Sequence, residues 1–228
     1  MKEEQKKERY MRQRDIVPAD RLAACRATVI GVGAIGRQVA LQLTAMGTSW
    51  LQLVDFDTVD ASNLASQGYL EADFEKPKVE ATARMCKQIN TDIEIHWAKE
   101  AFRRSMEIGN IVFCAVDRIQ TRRLVWEATN DKISFFTDGR MAAEVLRIIT
   151  AYDSESRNYY PTTLFNSNEA FEGSCTAKTT IYCANIAAGL MIAQFTKYLR
   201  QLPIDCDIQL NLLTSEMTVA KFAELSDS

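Results

Sequence analysis

Five short runs of β-forming apolar residues, at 27–30, 50–54, 93–97, 111–115 and 133–137, alternate with helical patterns near 34–46, 76–90 and 119–131. No other feature of the chain constrains its fold as tightly. A strand, a helix and a second strand in that order close as a right-handed crossover, so the strands run parallel and the loops at their carboxyl ends gather along one edge. The predicted fold is α/β, a Rossmann-like, mostly parallel sheet flanked by helices. Past residue 140 the pattern changes. Residues 144–152 read as a strand, 153–174 as a polar loop, 176–200 as a long helix and 207–220 as a hairpin-like pair, which predicts antiparallel strands extending the sheet in the C-terminal half. A loop as long as 153–174 suggests a crossover or lid rather than a spacer.

Composition narrows the class of protein. The net charge is −3 with no sustained basic stripe, so nucleic acid is not an expected partner. The stretch nearest to a membrane span, 181–199, is interrupted by Asn185, Gln194 and Lys197, short of the roughly 18–20 apolar residues a span requires. It reads as a core helix, and no membrane association is expected. Cysteines stand at 25, 86, 114, 175, 183 and 206, mostly inside apolar stretches, and the first residues lack the apolar core of a signal peptide, so a reducing cytoplasm is expected. No C-x-x-C pair occurs, and no zinc is predicted. The single histidine, His96, falls mid-strand, which argues against Ser-His-Asp or Cys-His machinery.

The chemistry-bearing motifs sit at predicted strand ends. Gly31-Val32-Gly33-Ala34-Ile35-Gly36 is a G-x-G-x-x-G turn after a strand and before a helix, where backbone N–H groups and the helix N-terminus can face phosphate oxygens. Asp55 ends the next strand, where a carboxylate can accept hydrogen bonds from a ribose diol. These two features fit ATP and NAD alike. No G-x-x-x-x-G-K-[ST] occurs, so an ATP site here is not a P-loop.

The next segment is more specific. Val54-Asp55-Phe56-Asp57-Thr58-Val59-Asp60-Ala61-Ser62-Asn63-Leu64, then Gln67, then Pro77-Lys78-Val79-Glu80-Ala81, resembles the D-x-D-x-V-x-x-S-N-L-x-x-Q and P-K-V-E-A pattern of the ThiF/MoeB/HesA and ubiquitin-activating family. Arg9-Tyr10-Met11-Arg12-Gln13 is similar to the family's R-Y-x-R-Q, and Phe113-Cys114-Ala115-Val116-Asp117 to its strand ending in aspartate. Ordered matches run from residue 9 to about 140. The resemblance implies ATP-dependent adenylation of a carboxylate, typically the C-terminus of a small ubiquitin-like or sulfur-carrier protein. It further implies a homodimer in which Arg12 reaches the neighbouring subunit's site, with Asn63 and Gln67 on the nucleotide. Lys78 suits phosphate oxygens, and Asp117 suits Mg²⁺ held by pyrophosphate. On this reading residues 1–228 form one domain, with 1–140 the nucleotide-binding half and 141–228 the substrate-side and dimer-side half.

Bland roles remain open to each residue: Lys78 as a solvated first-turn residue, Asn63 and Gln67 as loop caps, Asp117 as a helix cap, Arg12 as a surface arginine. One position departs from the family, which carries arginine where this chain has Ser66. Arg37 and Arg140 are the candidate substitutes: Arg140, after Asp138-Gly139, is favoured, whereas Arg37, just past the glycine turn, reads more readily as a helix-surface residue. Alternatively the chain is a catalytically reduced partner subunit. Cys175, expected at the start of the long helix beside Lys178, stands where the helix dipole favours a thiolate, and the resemblance makes it the candidate acceptor of the activated acyl group, packing at a helix end being the alternative. Cys183 reads as core packing. An NAD-dependent oxidoreductase uses the glycine turn and Asp55 but gives Asn63, Gln67 and Lys78 no purpose.

Overall fold

The computed structural model describes residues 5, 8–165 and 179–220. In chain order its helices are α1 (Ala19–Ala23), α2 (Ala34–Met46), α3 (Ala61–Gln67), α4 (Lys78–Ile89), α5 (Ile119–Thr129), α6 (Ser154–Tyr159) and α7 (Ile181–Arg200). The strands are β1 (Arg26–Ile30), β2 (Trp50–Val54), β3 (Glu94–Ala98), β4 (Ile111–Cys114), β5 (Phe135–Ala142), β6 (Val145–Ala151), β7 (Asp207–Asn211) and β8 (Glu216–Val219). They form one sheet ordered β3-β2-β1-β4-β5-β6-β7-β8. β1 to β5 pair in parallel, and β6 to β8 continue antiparallel. After β1 the chain builds outward through β2 and β3, then returns to lay β4 on the other side of β1. That reversal opens a crevice above the carboxyl ends of β1 and β4, where sheets of this kind bind ligands.

The strand period of two divides the core between the faces. Val29, Leu53, Phe113, Phe135 and Ile148 join one cluster, with Val39 and Leu43 of α2, Cys86 of α4 and Ala184 to Phe195 of α7. Their chain neighbours Ile30, Val54, Val112, Phe136 and Ile149 join the other, with Val125 and Trp126 of α5 and Tyr160. Each of the larger fully buried side chains is worth roughly 1.5–3 kcal/mol. On the first face Phe195 sets its ring 5.5 Å from those of both Phe113 and Phe135. The small residues Ala184, Ala187 and Ala188 let α7 lie close to the sheet, and Cys183, fully buried among them, is packing as expected.

Three local expectations are corrected. Residues 153–165 are not a loop: Asp153 caps Ser156 N at 2.9 Å, and Ser156 Oγ receives the N–H groups of Tyr152 and Asp153, a reciprocal cap that starts α6. A 3-10 turn, Tyr160–Thr163, follows and buries Tyr160 completely. Polar composition hid this cap because Ser156 stands where a capping box usually shows Glu or Gln. The long helix begins at Ile181, with Thr180 as its N-cap, later than expected. Residues 61–67, read only as a motif, form the short helix α3, capped by Asp60.

Candidate active site

The glycine turn is held by contacts that explain two of its three glycines. Gly31 has φ +85°, and a Cβ there would stand 2.7 Å from the carbonyl oxygen of Ala115 in the loop after β4. Gly36 lies against the Gly31 carbonyl, and a side chain would collide with it. This lets α2 start tight against β1 and β4. Gly33 differs, since a Cβ there would meet nothing nearer than Gln67 Oε1 at 3.8 Å. No neighbouring atom demands a glycine at that point. What its absent side chain leaves is open backbone at the N-cap of α2, a helix without a side-chain cap. Its first N–H groups have no partner inside the helix, and this is the arrangement that receives phosphate oxygens.

Asp55 ties this turn to the next strand end. Its Oδ2 accepts from Val32 N at 2.7 Å and its Oδ1 from Asp57 N at 2.8 Å. Burial raises the Asp55 pKa, and the two backbone donors oppose that rise. Each oxygen keeps a second lone pair for a hydroxyl donor. From Asp57 to Lys78 the chain doubles back on itself: Lys78 N donates to Asp57 O at 3.0 Å, and Val59 N to Lys76 O at 2.9 Å. The clasp brings Lys78 Nζ to 2.9 Å from Asp57 Oδ2, with the lysine side chain 7% exposed and the aspartate 46%. The solvated reading of Lys78 is therefore corrected. One of its three ammonium donors is occupied, which leaves two for a further acceptor.

Asn63 is buried, and its Oδ1 accepts from Asp60 N at 3.2 Å, so it serves the reciprocal cap of α3. Gln67, at the end of α3, has a buried Oε1 without a hydrogen-bond partner, next to Gly33. The Ser66 hydroxyl donates to Ser62 O at 2.7 Å. Tyr69 crosses beneath the turn: its hydroxyl donates to Val32 O at 2.6 Å and meets Thr82 Oγ1 at 3.1 Å. Sequence reasoning missed Tyr69, because a buried hydroxyl linking two motifs leaves no local pattern.

On the other side of the crevice Asp117 is exposed at the entry to α5. It does not cap the helix, whose N-cap is Arg118. No described residue hydrogen-bonds its carboxylate. Below it lies a buried ionic cluster in which Asp138, with no exposed surface, pairs with Arg122 and with Arg140, whose Nε is 2.8 Å away. Arg122 also donates to the Val116 and Gly139 carbonyls. Arg140 spends its remaining fork on Thr163 O at 2.8 Å and Thr163 Oγ1 at 3.0 Å. Arg140, favoured from sequence as the substitute at Ser66, is thus committed to the fold. Arg37, expected on the helix surface, is instead 3% exposed.

Arg12 is not brought to this edge. Gln13 Nε2 donates to Met46 O at 2.6 Å, Tyr10 packs on Gly47 and hydrogen-bonds Asn90, and Arg9 reaches Ile89 O. The N-terminal segment therefore docks at the far ends of α2 and α4, about 20 Å along α2 from the glycine turn, with Arg12 exposed. Cys175 lies outside the described residues, and the helix meant to activate it starts at Ile181. Among the described residues no cluster of three or more His, Cys, Asp or Glu converges on one point. A single free carboxylate such as Asp117 fits Mg²⁺ that arrives with phosphates rather than in a protein cage. No described helix is long and apolar enough to cross a membrane.

The ThiF family model matches residues 9–226. Among curated relatives, the adenylyltransferase and sulfurtransferase MOCS3 of Dictyostelium discoideum is 36% identical over 132 residues, covering 53% of this chain and 31% of that protein. The sulfur carrier protein ThiS adenylyltransferase of Bacillus subtilis is 32% identical over 133 residues, 53% of this chain and 40% of its own. The molybdopterin-synthase adenylyltransferase of Haemophilus influenzae is 29% identical over 147 residues, 61% and 60% respectively. The chain thus spans less than two thirds of each of these relatives. The fold is shared with a crystal structure of PaaA (TM-score 0.78, 18% identity, 97% of this chain and 74% of that one). It is shared also with E. coli MccB crystallised with ATP (TM-score 0.71, 16% identity, 89% and 65%).

Proposed function

The chain belongs to the ThiF family, and from that premise we propose that it activates a carboxylate with ATP, forming an acyl-adenylate and releasing pyrophosphate. A carboxylate oxygen attacks the α-phosphorus, the bond from that phosphorus to the β-bridging oxygen breaks, and the electron pair leaves with pyrophosphate. The barrier is one of crowding and charge, so catalysis rests on clamping the phosphates rather than on a covalent enzyme intermediate. The free N–H groups at the start of α2 hold phosphate oxygens, Asp55 takes the ribose hydroxyls, and Lys78 neutralises charge that builds on the phosphates. Asn63 and Gln67 add polar contacts at the nucleotide. Asp117 would hold Mg²⁺ that arrives with the phosphates, which would supply further positive charge at the leaving group.

The observation that carries this reading is Gly33: a position where the protein leaves room for a side chain, and which lies beside Gln67 and one residue from the Val32–Asp55 bond. A backbone held bare amid polar groups suits close approach by a phosphate. The carboxylate is the C-terminus of a small carrier protein of the ubiquitin-like or sulfur-carrier kind, in line with the sulfur carrier named for the B. subtilis relative. Arg12, exposed and remote from its own site, serves the site of a second copy in a homodimer, and the Cys175 thiolate attacks the acyl carbon of the adenylate, forming a thioester as the acyl–phosphate bond breaks and AMP leaves. The test is ATP–pyrophosphate exchange dependent on the carrier. Lys78→Ala and Asp117→Ala abolish exchange with the fold intact, whereas Cys175→Ala spares exchange and blocks only transfer. Absence of exchange with every Gly-Gly-ended carrier encoded nearby overturns the proposal. A second reading, a partner subunit reduced in catalysis, is favoured by Ser66, whose hydroxyl is turned back onto its own helix. It predicts no heat with ATP–Mg²⁺ at millimolar nucleotide.

A further inference from the structure

Arg37 sits one residue past Gly36, in the first turn of α2, with 3% of its surface exposed. Buried guanidinium groups are ordinarily paired with a carboxylate, because an isolated charge loses its hydration and gains nothing in return. The other two buried arginine forks near this edge obey that rule, Arg122 and Arg140 both closing on Asp138. Arg37 does not. Its Nε has no hydrogen-bond partner and it forms no ion pair with any described residue. Its guanidinium carbon lies 4.7 Å from the centre of the Tyr69 ring, a stacking contact that holds the group in place without neutralising it. Asp73, the carboxylate among the described residues that acts on it, is itself taken by Arg84 and by Leu70 N. Burial lowers the Arg37 pKa, as it does those of Arg122 and Arg140.

The location of this charge indicates what the partner is. The Arg37 Nη1 lies 3.7 Å from the point a Cβ on Gly68 would occupy. Gly68 follows Gln67, whose buried and unpaired Oε1 faces Gly33. The tyrosine that supports the guanidinium donates its hydroxyl to Val32 O, inside the glycine turn. An unpaired cation and the uncapped start of α2 thus lie on either side of the Gln67–Gly68 turn.

We propose that Arg37 is the phosphate-binding cation of this site, engaging the β- and γ-phosphates of the nucleotide that the adenylation reading places on the glycine turn. The inference rests on that reading and adds the residue that distinguishes a triphosphate from a monophosphate. In an arginine that only fills space beneath α2, loss of the charge affects ATP and AMP equally. In the proposed role the charge meets phosphates that AMP lacks.

Calorimetry with ATP, AMP and inorganic tripolyphosphate separates these cases without any turnover. Wild-type protein is expected to bind tripolyphosphate alone, and Arg37→Met to weaken ATP and tripolyphosphate tenfold or more while AMP stays within about twofold. Arg37→Gln, which keeps a polar end on the helix, is the second variant if Arg37→Met does not fold, and the same loss confined to the polyphosphates is expected of it. A folded variant with the wild-type ratio of ATP to AMP affinity overturns the role of Arg37 and leaves adenylation standing. Wild-type protein that binds neither ATP nor tripolyphosphate overturns the adenylation reading along with it.

Discussion

Gly33 and Gly36 stand three residues apart in the same motif, yet their surroundings predict opposite outcomes for the same substitution to alanine. At Gly36 the new methyl is driven into the Gly31 carbonyl and stands 3.2 Å from the Ala115 Cβ. Both obstacles are rigid, one backbone and one a short side chain on a buried loop. α2 must move away from β1, at a cost of about 3 kcal/mol or more, the upper end for overpacking a core. At Gly33 the nearest atom is 3.8 Å away, and the backbone φ of −73° is not left-handed. Alanine is a poorer N-cap than glycine by roughly 0.5–1 kcal/mol, and stiffening the unfolded chain returns roughly 0.4–1 kcal/mol. The net change in stability is expected to lie within about 0.5 kcal/mol. The methyl instead occupies the space a phosphate needs to reach the α2 N–H groups, and a tenfold or greater loss of ATP affinity is expected, about 1.4 kcal/mol. Urea denaturation read beside calorimetry with ATP–Mg²⁺ measures both quantities on each variant. Gly33→Ala protein that is as stable as wild type and binds ATP equally well refutes the reasoning, as does Gly33→Ala protein destabilised as much as Gly36→Ala.

Other substitutions divide along the same line between fold and site. Asp117→Ala changes stability by less than about 0.5 kcal/mol, since that carboxylate is exposed and has no hydrogen-bond partner among the described residues, yet it removes exchange. Lys78→Ala also removes exchange, and costs about 1–2 kcal/mol in urea denaturation because it leaves Asp57, which is only half-buried, without its ion pair. Asp138→Ala strips the counter-charge from both Arg122 and Arg140, and a loss of about 3–5 kcal/mol is expected, read as a fall in Tm. Burial raises the thiols of Cys25 and Cys86 to about 11 and that of Cys206 to about 12. The folded state therefore favours their protonated form, and their thiolates gain population only as pH climbs toward those values. Native protein labelled with a thiol reagent at pH 8 should leave these three unreacted, so rapid labelling that survives in a Cys175→Ala variant would contradict this burial.

The sheet was legible because its strands are short, apolar and separated by helices of ordinary period. Trp50–Val54 falls where the residues predict it, and the antiparallel extension is present as expected. The glycine turn and Asp55 were legible for a related reason: tight backbone turns demand particular residues at particular spacings. What sequence could not show depends on partners distant along the chain. Arg37 reads as a surface residue because it is charged and in a helix, and only the fold sets Tyr69 beneath it. Arg140 reads as a free cation at a strand end, whereas Asp138 and Thr163 hold it from two different segments. α6 was missed since its cap uses Ser156 in place of a longer acceptor. The Lys78–Asp57 pair joins two motif fragments that sequence reads separately.

The central claim is that the loops after β1, β2 and β4 serve a single bound triphosphate. Crystals grown with a non-hydrolysable ATP analogue and Mg²⁺ test it most directly. The account predicts phosphate oxygens on the N–H groups after Gly33, ribose hydroxyls on Asp55, and Lys78 with Arg37 turned to the polyphosphate. Nucleotide bound elsewhere, or bound at the crevice with Gly33 and Lys78 out of reach of every phosphate, contradicts it.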